Sequence, residues 1–401
     1  MGVSGECFDV IIIGAGIMGS STAYQTAKRG LKTLVLEQFD FLHHRGSSHG
    51  ETRTIRATYP QDYYFPMVME SYKLWRQAEA QIGYKVYYEA HHFDMGHVDD
   101  PDFRAVIASC RKHSVPHQIL RPDQVAQKFS GRFFIPHNWL GVSHALGGVI
   151  KPTKATAMYQ ALAQKYGAVL RDNREVVDIK RDNQNGGVIV VTAGGESFWG
   201  KKCVVTVGAW MNKLVKAVSG IELPIQPLET HVFYWRIKEG HEEKYAIGGD
   251  FPTFASYGET YIYGTPTLEY PGLIKVAVHG GNPCDPDNRP WGSGTKMDVL
   301  KKWIARTFSG VVDTSDPVVK QACMYSWTPT EDFVIDFLGG RFGKDVVVGG
   351  GFSGHGFKMA PVIGQVLADL AAEGEAKGVD MSPFRIGRFV QICRLKEGPG
   401  K

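Results

Sequence analysis

Three glycines at a spacing suited to phosphate binding give the first chemical signal in this chain of 401 residues. Gly14, Gly16 and Gly19 follow a β-branched run, Phe8 to Ile13, and open a run of helix formers, Ile17 to Lys28. In such a turn the first glycine permits a tight bend, the second lets the backbone reach a pyrophosphate, and the third lets the helix pack on the strand. Because unpaired amides at a helix start attract anions, the pattern predicts a dinucleotide-binding unit.

An acidic residue narrows the choice of dinucleotide. A second strand-like run, Lys32 to Leu36, ends on Glu37. A carboxylate at that place accepts hydrogen bonds from ribose hydroxyls and repels a 2′-phosphate. NAD or FAD is therefore favoured over NADP, and this unit leaves the choice between those two open.

A second glycine-rich loop favours a flavin. The segment Gly349 to Lys358 contains Gly354, His355 and Gly356 and opens another helical segment. A helix start stabilises the negative charge that a reduced flavin develops. A flexible loop is the alternative interpretation of the same residues.

The composition points to a small-molecule partner. The chain has 45 basic and 41 acidic residues and a formal net charge of +4, without the like-charge blocks typical of nucleic-acid or anionic-membrane binding. No apolar stretch reaches the ~18 residues of a membrane span, and the N-terminal apolar run is too short for a secretory signal. The six cysteines show no CxxC pairing, so we expect no disulfide framework, no metal site and an intracellular, reducing compartment.

The elements that must position these residues are helices and strands in alternation. We predict helices over Ile17 to Lys28, Tyr63 to Ile82, Thr153 to Tyr166 and from the second glycine loop to about Ala372. We predict strands over Phe8 to Ile13, Lys32 to Leu36, Val169 to Leu170, Val188 to Thr192, Cys203 to Val207 and Asp345 to Val348. The segment from Phe39 to Arg56 is predicted to be an extended loop. From about Ile221 to Val278, alternating Tyr, Phe and Thr with glycine breaks indicate an antiparallel sheet.

Further motifs make the chain resemble the monomeric sarcosine oxidase and L-pipecolate oxidase family of FAD-dependent amine oxidases, and its plant members most. The resemblance spans about residues 8–372 and rests on these segments, in the family's order: Gly14 to Gly19, Gly46 to Arg56, Tyr263 with Lys275 to His279, Cys323 to Tyr325, and Phe352 to Lys358. It implies FAD as the cofactor and a two-domain fold like that of D-amino-acid oxidase.

The fold class expected from the elements and the resemblance is therefore α/β. It joins a discontinuous, Rossmann-like, doubly wound FAD-binding domain to an α+β substrate domain with a mainly antiparallel sheet. We predict the FAD-binding domain in residues 1–56, 150–220 and 320–375, and the substrate domain in 57–149 and 221–319. Residues 376–401 form a C-terminal tail to which the sequence assigns no role.

The resemblance also implies how the flavin is held. Cys323 matches the cysteine that forms a thioether with the flavin 8-methyl group, although a lone cysteine is by default a buried apolar residue. Arg53 and Lys275 match basic residues on either face of the flavin, Lys275 at the position associated with oxygen activation. A solvated lysine of a sheet is the alternative for Lys275. The expected cofactor-binding residues are Gly14, Gly16, Gly19, Glu37, Ser48, His49, Cys323, Gly354, His355 and Gly356.

The family resemblance also implies which residues bind the substrate. Arg56 and Lys358 match the pair that binds the substrate carboxylate, and two cations converging on one place would be costly without an anion. Surface charges paired with Asp or Glu are the alternative. Tyr263, His279 and Tyr325 match residues that line the substrate cavity, where core aromatic residues are the alternative.

The expected function is oxidation of the C–N bond of a secondary α-amino acid, of the L-pipecolate or sarcosine type, to an imine, with reduction of O2 to H2O2. The alternatives are an oxidase of another secondary amine such as an N-methyl amino acid or an alkaloid, a dehydrogenase that reduces a quinone or a carrier protein, and a non-catalytic flavin-binding protein. We expect a monomer in the cytoplasm or the peroxisome, although the last residues do not form the Ser-Lys-Leu type of peroxisomal address. Trp327 is bulkier than its bacterial counterpart, which leaves the cavity shape open.

Overall fold

The computed structural model describes residues 6–288 and 296–389. These ranges contain the helices α1 Ile17–Lys28, α2 Tyr64–Ile82, α3 Pro101–Lys112, α4 Pro122–Lys128, α5 Pro152–Lys165, α6 Met211–Ser219, α7 Met297–Thr307 and α8 Ala360–Glu373. They also contain the strands β1 Cys7–Ile13, β2 Thr33–Leu36, β3 Arg53–Arg56, β4 Tyr87–His97, β5 His117–Leu120, β6 Trp139–Ile150, β7 Val169–Arg171, β8 Val176–Arg181, β9 Val188–Thr192, β10 Ser197–Val205, β11 Gln226–Arg236, β12 Thr253–Ser256, β13 Ile262–Thr265, β14 Leu273–Val278, β15 Asn282–Pro283, β16 Val319–Trp327, β17 Val334–Phe337 and β18 Val346–Gly350.

The smaller sheet has a parallel centre in the order β18-β10-β1-β2-β7, with β17 antiparallel at the β18 edge. Both faces of this centre are covered, as parallel sheets require. Val10 and Ile12 of β1 pack in the core that includes α1, α5 and α8, whereas Ile11 and Ile13 face the core that includes α6, β8 and β9. This alternation follows from the two-residue period of a strand.

The larger sheet runs in the order β15-β11-β14-β13-β12-β4-β6-β3, with β16 beside β11 and β5 beside β6. Its pairings are antiparallel except for β12 with β4, which run parallel. A mainly parallel sheet and a mainly antiparallel sheet in one chain confirm the predicted fold class.

Several element boundaries differ from the prediction. The segment predicted as an extended loop over Phe39 to Arg56 ends in β3, which pairs antiparallel with the C-terminal end of β6. Strand β10 begins at Ser197 and stops at Val205, so the predicted strand from Cys203 to Val207 covers only its end. Both differences arise because tertiary pairing overrides weak local preference.

Strands β3 and β16 of the larger sheet hold residues of the predicted site. β3 holds Arg53 and Arg56, and β16 holds Cys323 and pairs with β11 along its whole length.

The predicted domain boundaries stay predictions. The tail is described as far as Phe389, where Arg388 donates to the carbonyl oxygen of Phe333 at 2.7 Å. In residues 6–288 and 296–389, no helix has the length and apolar character needed to span a membrane.

Candidate functional site

Two cavities meet where the smaller sheet faces the larger one. The first extends from the glycine turn after β1, and the second lies over β13 and β14 of the larger sheet. Both are lined by Arg53, Cys323, Tyr325, Gly354 and Phe357. The predicted cofactor and substrate residues, except Gly19 and His49, therefore line these two adjoining cavities.

The glycine turn forms a cradle that no larger residue could build. Gly14 has φ +98°, and a Cβ there would lie 2.7 Å from the carbonyl oxygen of Thr206. A Cβ on Gly19 would lie 1.8 Å from the carbonyl oxygen of Gly14. Glu37 is buried at the end of β2 and accepts a hydrogen bond from the amide of Ala15 at 2.8 Å. This donor set fits the pyrophosphate and ribose of a dinucleotide.

The loop after β2 is attached to the same turn. Helix α1 begins after Gly16, which has no side chain to cap it, and Ser48 Oγ accepts from the amide of Ile17 at 3.0 Å. His49 is buried but lines neither cavity, and its carbonyl oxygen accepts from Arg53 Nη2 at 2.8 Å. Ser48 thus borders the dinucleotide turn, whereas His49 contacts Arg53.

Arg53 and Lys275 converge on one carbonyl oxygen. Arg53 Nη1 and Lys275 Nζ each donate to the carbonyl oxygen of Thr52, both at 2.9 Å. Lys275 is only 1% exposed and lies 5.5 Å from the ring centre of Tyr263. Burial, reinforced by the charge of Arg53, lowers the pKa of Lys275 well below its ordinary value. Arg53 therefore supplies a positive point where the two cavities adjoin, and Lys275 lies beside it with an amine that is easily deprotonated.

Cys323 lies beside this positive point. It is buried in β16, and its sulfur lies 3.6 Å from Arg53 Nη2. Because Cys323 lines both cavities, its thiol faces the space that would receive the reactive ring of a cofactor. Cys110 and Cys203 are buried within core clusters instead.

Arg56 and Lys358 flank a single tyrosine. The guanidinium of Arg56 lies 4.8 Å and the amine of Lys358 lies 5.2 Å from the ring centre of Tyr59. Lys358 Nζ donates to Tyr59 Oη at 2.8 Å and to the carbonyl oxygen of His355 at 2.9 Å, and Arg56 Nη2 donates to Tyr261 Oη at 3.0 Å. Burial, followed by the charge of Arg56, lowers the pKa of Lys358 well below its ordinary value.

Aromatic residues form the wall between the two pairs of cations. His279 lies with its ring centre 5.4 Å from those of Tyr325 and Trp327 and 5.3 Å from that of Tyr261. Trp327 stacks on Tyr325 at an interplanar angle of 13°, and this contact restrains the Tyr325 ring. Burial raises the pKa of Tyr325 and of Tyr263, which keeps both phenols neutral.

The second glycine loop is divided between the cavities. Gly354 and Gly356 line the first cavity, and a Cβ on Gly354 would lie 2.5 Å from the ring of Tyr325. His355 lines only the second cavity, where its Nδ1 lies 3.2 Å from Tyr59 Oη and its Nε2 lies 2.9 Å from the carbonyl oxygen of Glu331. His355 therefore lies on the same side as Arg56 and Lys358, the two cations predicted to bind the carboxylate, although the sequence predicts it beside the cofactor.

Three residues of this site were not predicted from the sequence. Tyr59 lies between Arg56 and Lys358, Thr52 holds both cations at the cavity junction, and Tyr261 contacts Arg56. Tyr261 precedes Tyr263 by two residues, and that spacing is a signal for the same face of a strand. Tyr59 and Thr52 give no comparable signal, because Tyr59 acts through its ring and Thr52 through its backbone.

Comparison with known proteins identifies the family of this chain. A family model described as FAD dependent oxidoreductase matches residues 9–370. A probable sarcosine oxidase of Arabidopsis thaliana is 64% identical over 385 residues, which cover 95% of this chain and 92% of that protein. A peroxisomal sarcosine oxidase of Homo sapiens is 37% identical over 400 residues, covering 98% and 99%.

Among solved structures, NikD, an amino acid oxidase essential for nikkomycin biosynthesis, superposes with a TM-score of 0.81 at 26% identity and covers 95% of this chain and 97% of its own. Both the structural likeness and the family match extend over both sheets. The chain belongs to the FAD-dependent oxidoreductases and, among them, to the sarcosine oxidase family, and its cofactor is FAD.

Proposed function

We propose that this chain is an FAD-dependent oxidase of a secondary α-amino acid of the sarcosine or pipecolate type. The observation that carries the substrate class is the pair Arg56 and Lys358. Their side chains contact Tyr59, Tyr261 and backbone oxygens, and within the described residues neither forms an ion pair with a carboxylate. Asp94 offsets the charge of Arg56 electrostatically, whereas no anion among the described residues compensates Lys358. A buried cation is costly without a partner. The pair is thus suited to an anion brought by the substrate, and an amino acid brings a carboxylate.

The residues present fit FAD at the junction of the cavities. The glycine turn and Glu37 would hold the pyrophosphate and ribose, and Arg53 and Lys275 would face the flavin ring. When bound, FAD supplies a two-electron acceptor for a hydride equivalent from the carbon beside the amine nitrogen, and dioxygen reoxidises it with formation of H2O2.

The chain itself binds and orients the substrate. Arg56 and Lys358 would hold the carboxylate, and His279 and Tyr325 would close the cavity around the amine and exclude water. With its carboxylate fixed, the substrate has fewer orientations in which to approach the cofactor, which supplies part of the orientation that such a reaction needs. The imine formed from sarcosine then hydrolyses in water, whereas the imine formed from pipecolate is itself cyclic.

A substrate panel tests this proposal. Holoenzyme is incubated in air with sarcosine, L-pipecolate, L-proline, an N-methyl amino acid and a secondary amine that lacks a carboxylate, and peroxide release is measured. We expect release from secondary amino acids and little from the amine without a carboxylate. A carboxylate-free alkaloid amine that is oxidised fastest would favour the alternative substrate class, and reduction by substrate without peroxide release would favour a dehydrogenase.

We further propose that FAD is covalently joined through Cys323 Sγ to the flavin 8-methyl carbon. The support is the position of the sulfur at the cavity junction, 3.6 Å from Arg53 Nη2. Such a bond would form by attack of the Cys323 thiolate on the 8-methyl carbon, which would lose a proton. The flavin ring would take up the electron pair and dioxygen would reoxidise it, and the guanidinium of Arg53 supplies a neighbouring positive charge.

Acid denaturation of the holoprotein should leave flavin attached to the polypeptide. Mass spectrometry of a digest is expected to find the flavin on the peptide that contains Cys323, and Cys323→Ser should release all its flavin on denaturation. The matched control Cys110→Ser changes another buried cysteine and should retain the attached flavin. Flavin that is released entirely from the wild type would contradict the linkage.

Binding of a carboxylate should weaken as the pH rises. The pKa of Lys358 is lowered by burial and by Arg56. Below that pKa the amine is charged and attracts a carboxylate, and above it the attraction is lost. A bound carboxylate raises the pKa of Lys358 again, so binding takes up a proton at pH values between the two.

Acetate is the probe for this prediction, because it has no amine that titrates. Its dissociation constant, measured from the change in flavin absorbance, should rise with pH in the wild type and change little in Lys358→Met. An equal pH dependence in both proteins would show that Lys358 is not the titrating group.

The proposal also covers the oligomeric state and the compartment. We propose a monomer, which size-exclusion chromatography at 44.4 kDa would test. The human relative is named peroxisomal, and an intracellular location, cytoplasmic or peroxisomal, stays a prediction for this chain.

A further inference from the structure

A buried polar cluster lies behind Arg56 in the larger sheet. Its members are His92 and Asp94 of β4, His144 of β6, Thr253 of β12 and Thr58, which follows β3. All five are at most 3% exposed. None belongs to the segments on which the family resemblance rests, and the proposed reaction does not use their side chains directly.

The cluster is a connected set of hydrogen bonds centred on Asp94. Thr58 Oγ1 donates to Asp94 Oδ2 at 2.9 Å, and His92 Nε2 lies 3.1 Å from Asp94 Oδ1. His92 Nδ1 lies 2.8 Å from Thr253 Oγ1 on the next strand. His144 Nε2 lies 3.3 Å from Thr58 Oγ1 and 3.5 Å from Asp94 Oδ2.

These contacts keep a negative charge inside the sheet. Burial alone would raise the pKa of Asp94, but the hydrogen bonds of His92 and His144, with the charge of Arg56, lower it below its usual range. Burial lowers the pKa of His92 to about 4, so this imidazole is neutral near pH 7. The cluster thus holds an ionised carboxylate whose nearby cation is Arg56.

Thr58 links the cluster to Arg56 through two different groups. Its hydroxyl donates to Asp94, and its carbonyl oxygen accepts a hydrogen bond from Arg56 Nη1. The other terminal nitrogen of Arg56, Nη2, donates to Tyr261 Oη. The planar guanidinium is therefore held on two sides, which fixes the direction in which it meets a carboxylate.

We propose that Thr58 and Asp94 are positioning residues for the carboxylate anchor Arg56. Asp94 holds the Thr58 hydroxyl, Thr58 presents its carbonyl oxygen to Arg56, and the guanidinium is held in the orientation that binds the substrate. This inference rests on the proposed function, because it concerns how well the substrate carboxylate is bound. A cluster that only joined β4, β6 and β12 would instead affect stability alone.

The test compares Thr58→Val with Thr58→Ser. Valine keeps the shape of threonine and removes the hydroxyl, whereas serine retains the hydroxyl and is the matched control. For the best secondary amino acid, Thr58→Val should raise KM by roughly 5- to 30-fold and leave kcat within about twofold, as loss of one buried hydrogen bond implies. The dissociation constant of acetate should rise by a similar factor, and that of acetamide should not change.

Each outcome decides the proposal. Thr58→Ser should behave as the wild type, and Thr58→Ala, which removes the same hydroxyl without adding a methyl group beside Asp94, should reproduce the shift if Thr58→Val does not fold. A fall in melting temperature with unchanged KM and acetate binding would overturn positioning in favour of a structural role. Equal weakening of acetate and acetamide would also overturn it. A wild type that oxidises no secondary amino acid would instead overturn the proposed function.

Discussion

Replacement of Lys275 by methionine should slow reoxidation of the reduced enzyme by dioxygen by a few orders of magnitude and leave reduction by substrate nearly unchanged. Methionine keeps much of the length of the side chain and removes the amine. Electron transfer to dioxygen first produces superoxide beside the flavin, so a cation at this point stabilises charge that develops only in that step.

The surroundings of Lys275 make this effect large. Its amine is buried and fixed to the carbonyl oxygen of Thr52, which also holds Arg53. The pKa of Lys275 is lowered by burial and by Arg53, so uptake of a proton by this amine is coupled to the arrival of negative charge. The reoxidation rate of the wild type should accordingly fall as the pH rises through that pKa.

Stopped-flow spectrophotometry of the two half-reactions separates these effects. Lys320→Met, which removes an exposed lysine of β16, is the control and should match the wild type in both half-reactions. A Lys275→Met variant that reoxidises at the wild-type rate would make Lys275 an ordinary buried lysine without a role in the oxygen reaction.

Replacement of Arg56 by alanine should lower kcat/KM for a secondary amino acid by roughly 30-fold to several thousandfold. Loss of one partner of a buried, charge-assisted contact costs on the order of 2–5 kcal/mol. Arg56 and Lys358 both contact Tyr59, and neither contacts a carboxylate within the described residues. The substrate carboxylate is therefore expected to depend on both cations at once.

An amide analogue distinguishes loss of the anchor from general damage to the site. In the wild type, conversion of the substrate carboxylate to an amide should lower kcat/KM by a factor comparable to that of Arg56→Ala. In Arg56→Ala the same change should have a much smaller effect, because only Lys358 remains to distinguish a carboxylate from an amide. Arg121→Ala, at an exposed position, is the control. Equal losses from amidation in the wild type and in Arg56→Ala would contradict the anchor.

The local parts of the site were predictable from the sequence. The turn of Gly14, Gly16 and Gly19 and the acid Glu37 lie within one strand-helix-strand unit, so their geometry follows from spacing alone. The pairing of Arg56 with Lys358 came only from the family resemblance. The chain brings them together through β3 and the turn before α8, a long-range contact that no local pattern encodes.

Strands β4 and β6 were not predicted from the sequence, because their local composition is unfavourable for strands. Strand β4 carries His92 and Asp94 at buried positions, and strand β6 contains Gly141, Gly147 and Gly148, so neither has the usual strand signature. The structure explains the glycines, because a Cβ on Gly141 would lie 2.3 Å from the ring of Phe93. The packing of partners that are distant in the sequence thus decided these strands.

The most direct test of the proposed function is the stoichiometry of flavin reduction, flavin reoxidation and H2O2 formation in one turnover of the wild-type holoenzyme. A secondary amino acid added without air should bleach the visible absorbance of the oxidised flavin. Admission of air should restore that absorbance and form one H2O2 for each imine. A yellow protein that no secondary amino acid bleaches would contradict the account, as would a bleached protein that is reoxidised by a quinone but not by dioxygen.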